Sequence, residues 1–327
     1  MILRLRCGYI GGAAIFCAIL LRILWGGGAF LEDPAVSRVI TYFYTGKQVV
    51  SAPTEPLPSV TVPQETPPPQ EEKEDPLQIS LQAGLSIEYR NQTGYDIDLE
   101  ALLKAPLNWD LKGDGPTVLI LHSHATESYK NTGQYTESDP YRTTDTGHNM
   151  VAVGEKLAHL LEARGIRVLH DRSLYDYPAY SAAYGNARAR LQTLLKENPG
   201  ICLVLDLHRD AVESNAGAQL PLTGTVNGVP MAQLELVVGT SAGGQSHPHW
   251  QKNAALAVKL QTVLTEMCPQ LCRPMFFRTG RYNQDLLPGM LLVEVGAAGN
   301  TQKEALAAVE ILAEAIEKIA KGTEIIN

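Results

Sequence analysis

Three runs of aliphatic residues in this sequence end in side chains that can bind a metal ion or carry a proton. They are TVLILHSHATESY (117–129), ICLVLDLHRD (201–210) and GMLLVEVGAAGNT (289–301). Short apolar runs of this kind predict buried strands. In open α/β sheets, ligands bind beyond the carboxyl ends of the strands. If these three strand ends lie side by side, His124, His208 and Glu294 converge on one site.

The three groups have the chemistry of a catalytic zinc site, which takes about three His, Glu or Asp ligands and leaves one position open. We expect His124 and His208 to bind Zn²⁺ and Glu294 to act as general base. A carboxylate inside the apolar run Leu291–Val295 needs a functional reason. His122 lies two residues before His124, so both face the same side of an extended strand. His122 then either binds the metal or orients the site.

The same residues also allow other functions. Ser123 lies between two histidines, although no GxSxG motif surrounds it, and Cys202 starts a strand-like run. These residues allow a metal-independent serine or cysteine hydrolase. A non-catalytic scaffold, tethered to a membrane and binding cell-wall polymer, is the third reading. His247 and His249 form either a second metal patch or a polar loop.

Composition narrows the class of protein. The chain has 327 residues, of which 45% are hydrophobic, enough for a substantial core. The formal net charge of −8 gives no support for nucleic-acid binding. The 5 cysteines form neither a disulfide framework nor a CxxC zinc pattern.

The sequence of the amino-terminal quarter predicts a membrane anchor followed by a spacer. Residues 8–31 are apolar except for Arg22, and Arg4 and Arg6 precede them. We predict a cytoplasmic tip and transmembrane anchor over 1–31, with the remainder extracytoplasmic. A cleaved signal peptide is the alternative. Residues 32–76 form a juxtamembrane segment and a Pro-rich linker, and 77–327 form the folded domain.

Strand and helix patterns alternate through residues 77–327. The predicted strands are 118–121, 166–169, 201–207, 275–277 and 290–295. The predicted helices are 149–164, 182–196, 253–267 and 302–321, and 223–240 is predicted to be an inserted hairpin that turns at Asn227-Gly228. Alternation of this kind predicts an α/β fold, with a mostly parallel sheet flanked by helices on both faces.

Three motifs resemble the signatures of the stage II sporulation protein P family: HSHATESY, LDLHRDA and RYNQDLLPGMLLVEVGAAGNT. The resemblance covers most of residues 77–327 and includes NQTGYDIDLEALL and DYPAYSAAYGNAR. It implies a fold similar to the zinc-dependent N-acetylmuramoyl-L-alanine amidases. In those enzymes a His closes the first strand, a second His closes a middle strand and a Glu near the last strand is catalytic. By position these are His124, His208 and Glu294.

The resemblance leaves the third zinc ligand open. In the amidase fold it is a Glu at the start of the first helix, but this chain reads TTDTGHNM there. We expect His148 to take that place, with Glu127 as the alternative. Further residues in the matching motifs flank the site and would bind substrate or pair with each other: Arg209, Asp210, Arg281, Asn283 and Gln284.

The resemblance also implies an activity. Enzymes of this family cut the amide between N-acetylmuramic acid and L-alanine in peptidoglycan, and act as endopeptidases on peptide cross-links. The implied partners are stage II sporulation proteins D and M. The implied setting is the space between the mother-cell and forespore membranes during engulfment.

Overall fold

The computed structural model describes residues 76–80, 86–107 and 110–322. No helix within these ranges is long and apolar enough to cross a membrane. The membrane anchor predicted over 1–31 lies outside them, as does the linker up to residue 75. These two assignments therefore remain predictions.

Ten strands and five helices make up the described part of the chain. The strands are β1 (Leu77–Ser80), β2 (Ser86–Asn91), β3 (Val118–Leu121), β4 (Val168–His170), β5 (Leu203–Asp210), β6 (Thr223–Val226), β7 (Val229–Ala232), β8 (Leu234–Gly239), β9 (Met275–Arg278) and β10 (Met290–Ala297). The helices are α1 (Leu99–Lys104), α2 (Met150–Glu162), α3 (Ala183–Glu197), α4 (Trp250–Met267) and α5 (Gln302–Ala320). Short 3₁₀ turns cover Tyr180–Ala182, Pro269–Leu271 and Gln284–Leu286.

Eight strands form one sheet in the order β1-β2-β9-β8-β10-β5-β3-β4. Within it, β1 with β2 and β8 with β10 pair antiparallel, and the other neighbours pair parallel. The central strands β3, β5 and β10 are the three apolar runs of the sequence. They are adjacent, so their carboxyl ends meet at one edge. The predicted mostly parallel sheet is confirmed.

Helices cover both faces of this sheet, as predicted. On one face, α2, α4 and α5 pack on β3, β5, β8 and β10 through the main apolar core, to which they contribute Leu157, Leu260 and Leu312. On the other face, Leu191 of α3 packs against Leu119 and Val204. Each helix therefore buries one apolar stripe against the sheet.

The predicted inserted hairpin over 223–240 is only partly right. Strands β6 and β7 form a separate two-stranded sheet, and its turn at Asn227-Gly228 has the positive φ angles typical of such turns. Residues 234–239 instead form β8 in the main sheet. Their side chains are buried on both faces, which a central strand requires.

Candidate metal centre

Three side chains bring potential metal ligands together at the carboxyl edge of the sheet. His124, Glu127 and His208 each offer an atom, and these atoms all lie within 4.8 Å of one another. Glu127 bridges the two imidazoles: its Oε1 lies 3.4 Å from His124 Nδ1 and its Oε2 lies 3.5 Å from His208 Nδ1.

The turn after β3 places two of these ligands. Ser123 fixes the start of the turn, because its N–H and its hydroxyl donate to the two carboxylate oxygens of Asp206, at 2.7 and 2.6 Å. The N–H of Glu127 donates to the carbonyl of His124 at 3.1 Å. The polypeptide therefore folds back within four residues and directs both side chains towards His208.

His122 does not share the side of His124, contrary to the expectation from strand alternation. Strand β3 ends at Leu121, so the two-residue period does not extend to His124. His122 is fully buried and points towards α2. Its Nδ1 donates to the carbonyl of Leu207 at 3.1 Å, and its Nε2 lies 2.9 Å from Nε2 of His170. It supports the sheet beneath the site and is not one of the three clustered groups.

Buried charges set the protonation of the ligands. Burial by itself lowers the pKa of His208, but Asp206, 3.0 Å from its Nε2, and Glu127 outweigh burial and raise this pKa well above 6.5. For Glu127, burial raises the pKa, yet Arg209 and the two imidazoles hold it well below the ordinary value. Glu127 is thus kept as a carboxylate, the form that binds a metal.

Glu294 lies beside this cluster on β10. In the register of the sheet, Glu294 is paired with His208 on β5 and with Glu235 on β8. Burial raises its pKa well above the ordinary value, and Asp210 raises it further. Its Oε2 is buried and has no hydrogen-bond partner among the described residues. A carboxyl group in this environment holds a proton readily and has an oxygen available for a bound molecule.

Aromatic side chains surround the ligands, and sequence reasoning assigned them no role. Tyr180 is 52% exposed and stacks on His124 with ring centroids 4.5 Å apart. Tyr184 is stacked parallel to the ring of His208 at 6.3 Å. Both belong to the motif DYPAYSAAYGNAR, so the repeated Tyr of that motif was the available signal. Arg142 lies over the Tyr180 ring at 4.4 Å and 3.5 Å from Glu127 Oε1.

His148, the favoured third ligand, lies outside the cluster. Its Nδ1 is 3.0 Å from Asp145 Oδ2, and its ring stacks on Tyr135 at 5.1 Å. It precedes α2, whose capping residue Asn149 turns the chain into the helix. Glu127, the alternative ligand, comes instead from the turn after β3.

The flanking residues of the LDLHRDA motif hold the site together. Arg209 is buried, and its guanidinium donates to the carbonyls of Ser128 and Tyr141 at 3.1 and 3.0 Å. Its backbone N–H donates to Glu127 Oε2 at 3.2 Å. Asp210 forms an ion pair of 2.7 Å with Arg273. Both residues are thus engaged in protein contacts next to the ligands.

The flanking residues of the RYNQDLL motif are also engaged within the protein. Arg281 pairs with Asp285 at 3.1 Å. Asn283 has the left-handed φ of 57° and donates to the carbonyl of Tyr184 at 2.9 Å. Gln284 is fully buried and bonds to the backbone of Gly239 and Val237 on β8. These contacts fix the loop that follows β9.

The donor set suits zinc. Two imidazoles and one carboxylate form a common ligand combination of catalytic zinc enzymes. The free oxygen of Glu294 adds a proton-carrying group next to the ligands. Within the described residues, the cluster that could hold a metal ion consists of His124, Glu127 and His208.

Comparisons with known proteins agree with the resemblance seen in the motifs. Stage II sporulation protein P of Bacillus subtilis (strain 168) is 26% identical over 226 residues, which is 66% of this chain and 54% of that protein. The chain thus spans about half the length of this curated relative.

Similar solved structures include N-acetylmuramoyl-L-alanine amidases. One is an amidase of Nostoc punctiforme, with 15% identity, a TM-score of 0.38, and coverage of 64% of this chain and 98% of that one. Another is an amidase of Clostridioides difficile in complex with a lipoprotein, with 16% identity, a TM-score of 0.40, and coverage of 64% and 100%.

The family assignment follows from a match over most of the chain. The profile of stage II sporulation protein P matches residues 41–317, which include all three site motifs. The chain therefore belongs to the stage II sporulation protein P family.

Proposed function

We propose that this chain is a zinc-dependent peptidoglycan hydrolase of sporulation, which cuts the amide between N-acetylmuramic acid and L-alanine. The observation that carries the proposal is the cluster of His124, Glu127 and His208 with Glu294 on the neighbouring strand. Family membership supports the setting in sporulation. Cleavage of peptide cross-links and association with stage II sporulation proteins D and M belong to the same proposal.

His124, Glu127 and His208 would hold the zinc ion. When bound, zinc polarises a carbonyl and lowers the pKa of a water molecule to about 7. Glu127 is buried as a carboxylate and so needs no proton loss before binding. Asp206 accepts a hydrogen bond from the Ser123 hydroxyl, and its Oδ1 lies 3.0 Å from Nε2 of His208. Asp206 therefore keeps that imidazole in place. Fixed outer partners of this kind orient metal-binding imidazoles.

Glu294 would move the proton. Its unpartnered Oε2 accepts a proton from the attacking water and then donates it to the leaving nitrogen of the amide. Burial raises the pKa of Glu294, so this carboxyl holds the accepted proton more readily than an exposed carboxylate would. Tyr180 and Tyr184 stack on the two imidazole ligands from the side of α3.

The serine or cysteine alternative has little support in the described part of the chain. The hydroxyl of Ser123 is buried and donates to Asp206, so no imidazole receives its proton. Burial raises the pKa of Cys202, and burial raises that of Cys272 to about 11. Thiols with raised pKa values are poor nucleophiles at neutral pH.

The test is to measure metal content and products together. The purified full-length chain is digested with purified peptidoglycan, zinc is quantified, and new amino-terminal alanine is identified by mass spectrometry. We expect about one zinc per chain and release of stem peptides that begin with alanine. Wall digestion without stoichiometric metal would favour the serine or cysteine route. Wall binding without peptide release would favour the scaffold.

A further inference from the structure

The loop between β4 and α3 borders the candidate metal centre. Residues 177–181 of this loop are all exposed, and its Tyr180 has 52% of its surface open to solvent although it contacts His124. Tyrosine has a large apolar ring whose burial is favourable. Exposed apolar surface next to a reaction centre therefore indicates a place where a ligand binds.

Buried polar contacts hold this loop in place. The carboxylate of Asp176 accepts hydrogen bonds from the N–H and the hydroxyl of Thr126, in the turn after β3. Arg142 donates to the same carboxylate at 2.9 Å. The side-chain amide of Asn186 on α3 donates to the carbonyl of Tyr175 at 3.0 Å. The loop is thus anchored both to the turn that carries metal ligands and to α3, so a ligand on its outer side finds a preformed surface.

One face of the Tyr180 ring packs on the site and the other is open. The ring stacks on His124 at 4.5 Å, and the guanidinium carbon of Arg142 lies 4.4 Å from its centroid. Both neighbours approach the same oxygen of Glu127, His124 at 3.4 Å and Arg142 at 3.5 Å, so both lie on the inner side of the ring. A ring covered on both faces would not be half exposed, so the outer face of Tyr180 is accessible.

The surface around this ring carries no free charge. Residues 177–187 include no acidic or basic side chain. Behind the ring, Arg142 is paired with Asp176 at 2.9 Å, and the side chain of Asp176 is fully buried. Such a surface suits the apolar C–H face of a neutral sugar, whereas a charged peptide would lose hydration there without gaining an ionic partner.

We infer that Tyr180 is the sugar-binding residue of this site and that its outer face stacks on a ring of the glycan strand. The inference rests on the proposed function, because it assigns the glycan side of the cleaved amide to the side of α3. Tyr180 contacts the ligand His124 directly, so the stacked sugar lies next to the ligand cluster. That position fits the N-acetylmuramic acid whose amide is cut, since its carboxyl is bound in the amide and carries no charge.

The experiment measures binding of the two parts of the substrate separately. Full-length chains carrying Tyr180→Ala or Tyr180→Phe are titrated with a neutral tetramer of N-acetylglucosamine and with a free stem peptide. We expect Tyr180→Ala to weaken binding of the saccharide about 3–10-fold, the range for loss of one aromatic contact, and to leave peptide binding unchanged. Tyr180→Phe keeps the ring and should bind the saccharide within about 2-fold of the wild type.

The matched control is Tyr95→Ala, because Tyr95 is also exposed and stacks on an aromatic ring, that of Trp250 at 5.3 Å. This variant should bind both probes as the wild type does. Zinc content is measured in every variant, since Tyr180 also packs on His124. With soluble peptidoglycan fragments, Tyr180→Ala should raise KM more than it lowers kcat.

The outcomes separate this inference from the proposed function. Equal losses for saccharide and peptide, no loss for the saccharide, or a loss that only accompanies loss of zinc would overturn the sugar subsite. Hydrolysis by a chain whose saccharide binding ignores the Tyr180 ring would refute the subsite and keep the activity. Ring-dependent saccharide binding by a chain that hydrolyses nothing would uphold the subsite and refute the activity.

Discussion

At the scale of single residues, the structure favours Glu127 over His148 as the third metal ligand. Glu127 lies between the two imidazoles, whereas His148 is held by Asp145 and Tyr135. Glu127→Ala should therefore reduce zinc affinity by more than about 100-fold, since even outer partners of ligands cost 10–100-fold. Titration with a chelating dye measures this affinity. His148→Ala should keep it within about 3-fold, and a large loss there would return His148 to the ligand set.

The proton role of Glu294 has its own prediction. Glu294→Gln keeps the shape of the side chain but cannot exchange a proton, so kcat should fall by about 10²–10⁴-fold while zinc content is unchanged. The control is Glu310→Gln, the same change at an exposed residue of α5 that pairs with Lys156. Near-normal turnover by the Glu294 variant would exclude it as the general base.

At the scale of elements, the contact between β3, β4 and α2 depends on Gly154. A Cβ at this position of α2 would lie 2.5 Å from His122 Nε2 and 2.6 Å from His170 Nε2. Both imidazoles are tied to neighbours, His122 to Leu207 and His170 to Glu155, so neither can move away without breaking a bond. The helix approaches the sheet closely only because this residue has no side chain.

Gly154→Ala should therefore destabilise the protein by about 1–3 kcal/mol, the usual cost of overpacking. Thermal unfolding followed by circular dichroism measures the change. Gly185→Ala on α3 is the matched control, because a Cβ there meets nothing within 4 Å. That change should be neutral or stabilising by up to about 1 kcal/mol. Equal behaviour of the two variants would contradict the close approach of α2.

The loop before α4 contains a buried histidine that makes stability depend on pH. His247 is 1% exposed, and neither ring nitrogen has a hydrogen-bond partner among the described residues. Burial lowers its pKa to about 4; Asp285 opposes this shift, whereas His249 and Arg281 add to it. The unfolded chain takes up a proton near pH 6.5 and the folded chain does so only near pH 4. The contribution to stability is therefore full above pH 6.5 and is lost as pH falls towards 4.

His247→Phe should remove this dependence, because the replacement ring carries no proton. Between pH 7 and pH 5 the wild-type free energy of unfolding should fall by about 1–2 kcal/mol more than that of the variant. Chemical denaturation at the two pH values measures the difference. Identical pH slopes for both proteins would show that His247 is not held neutral in the fold.

At the scale of the whole molecule, the folded part is expected to work without the predicted anchor. The sheet, the described helices and the candidate site all lie within 76–322. Removal of residues 1–31 should give a soluble chain with unchanged zinc content and wall-digesting activity. Sedimentation after cell lysis and a peptidoglycan release assay test this. An insoluble or inactive product would contradict the division at residue 31.

Much of the architecture follows from local patterns that can be read along the chain. The aliphatic run Val118–Leu121 is a strand with the predicted bounds, and the stripe of Met150, Val153 and Leu157 lies in a helix. Such runs and stripes predict which side chains are buried, and these side chains pack between the sheet and its helices. The sequence argument required β3, β5 and β10 to be adjacent without establishing it, and the strand order of the folded sheet meets that condition.

Other features depended on the tertiary structure. His122 and His124 separate because β3 ends at Leu121, and Glu127 becomes the third clustered group because the following turn folds back onto His208. Alternation along a strand is a local rule and ends where the strand ends. The path of a turn is set by distant partners, here Asp206 for Ser123. The sequence by itself determined which residue types stand at the strand ends, and only the folded chain decided which of them meet.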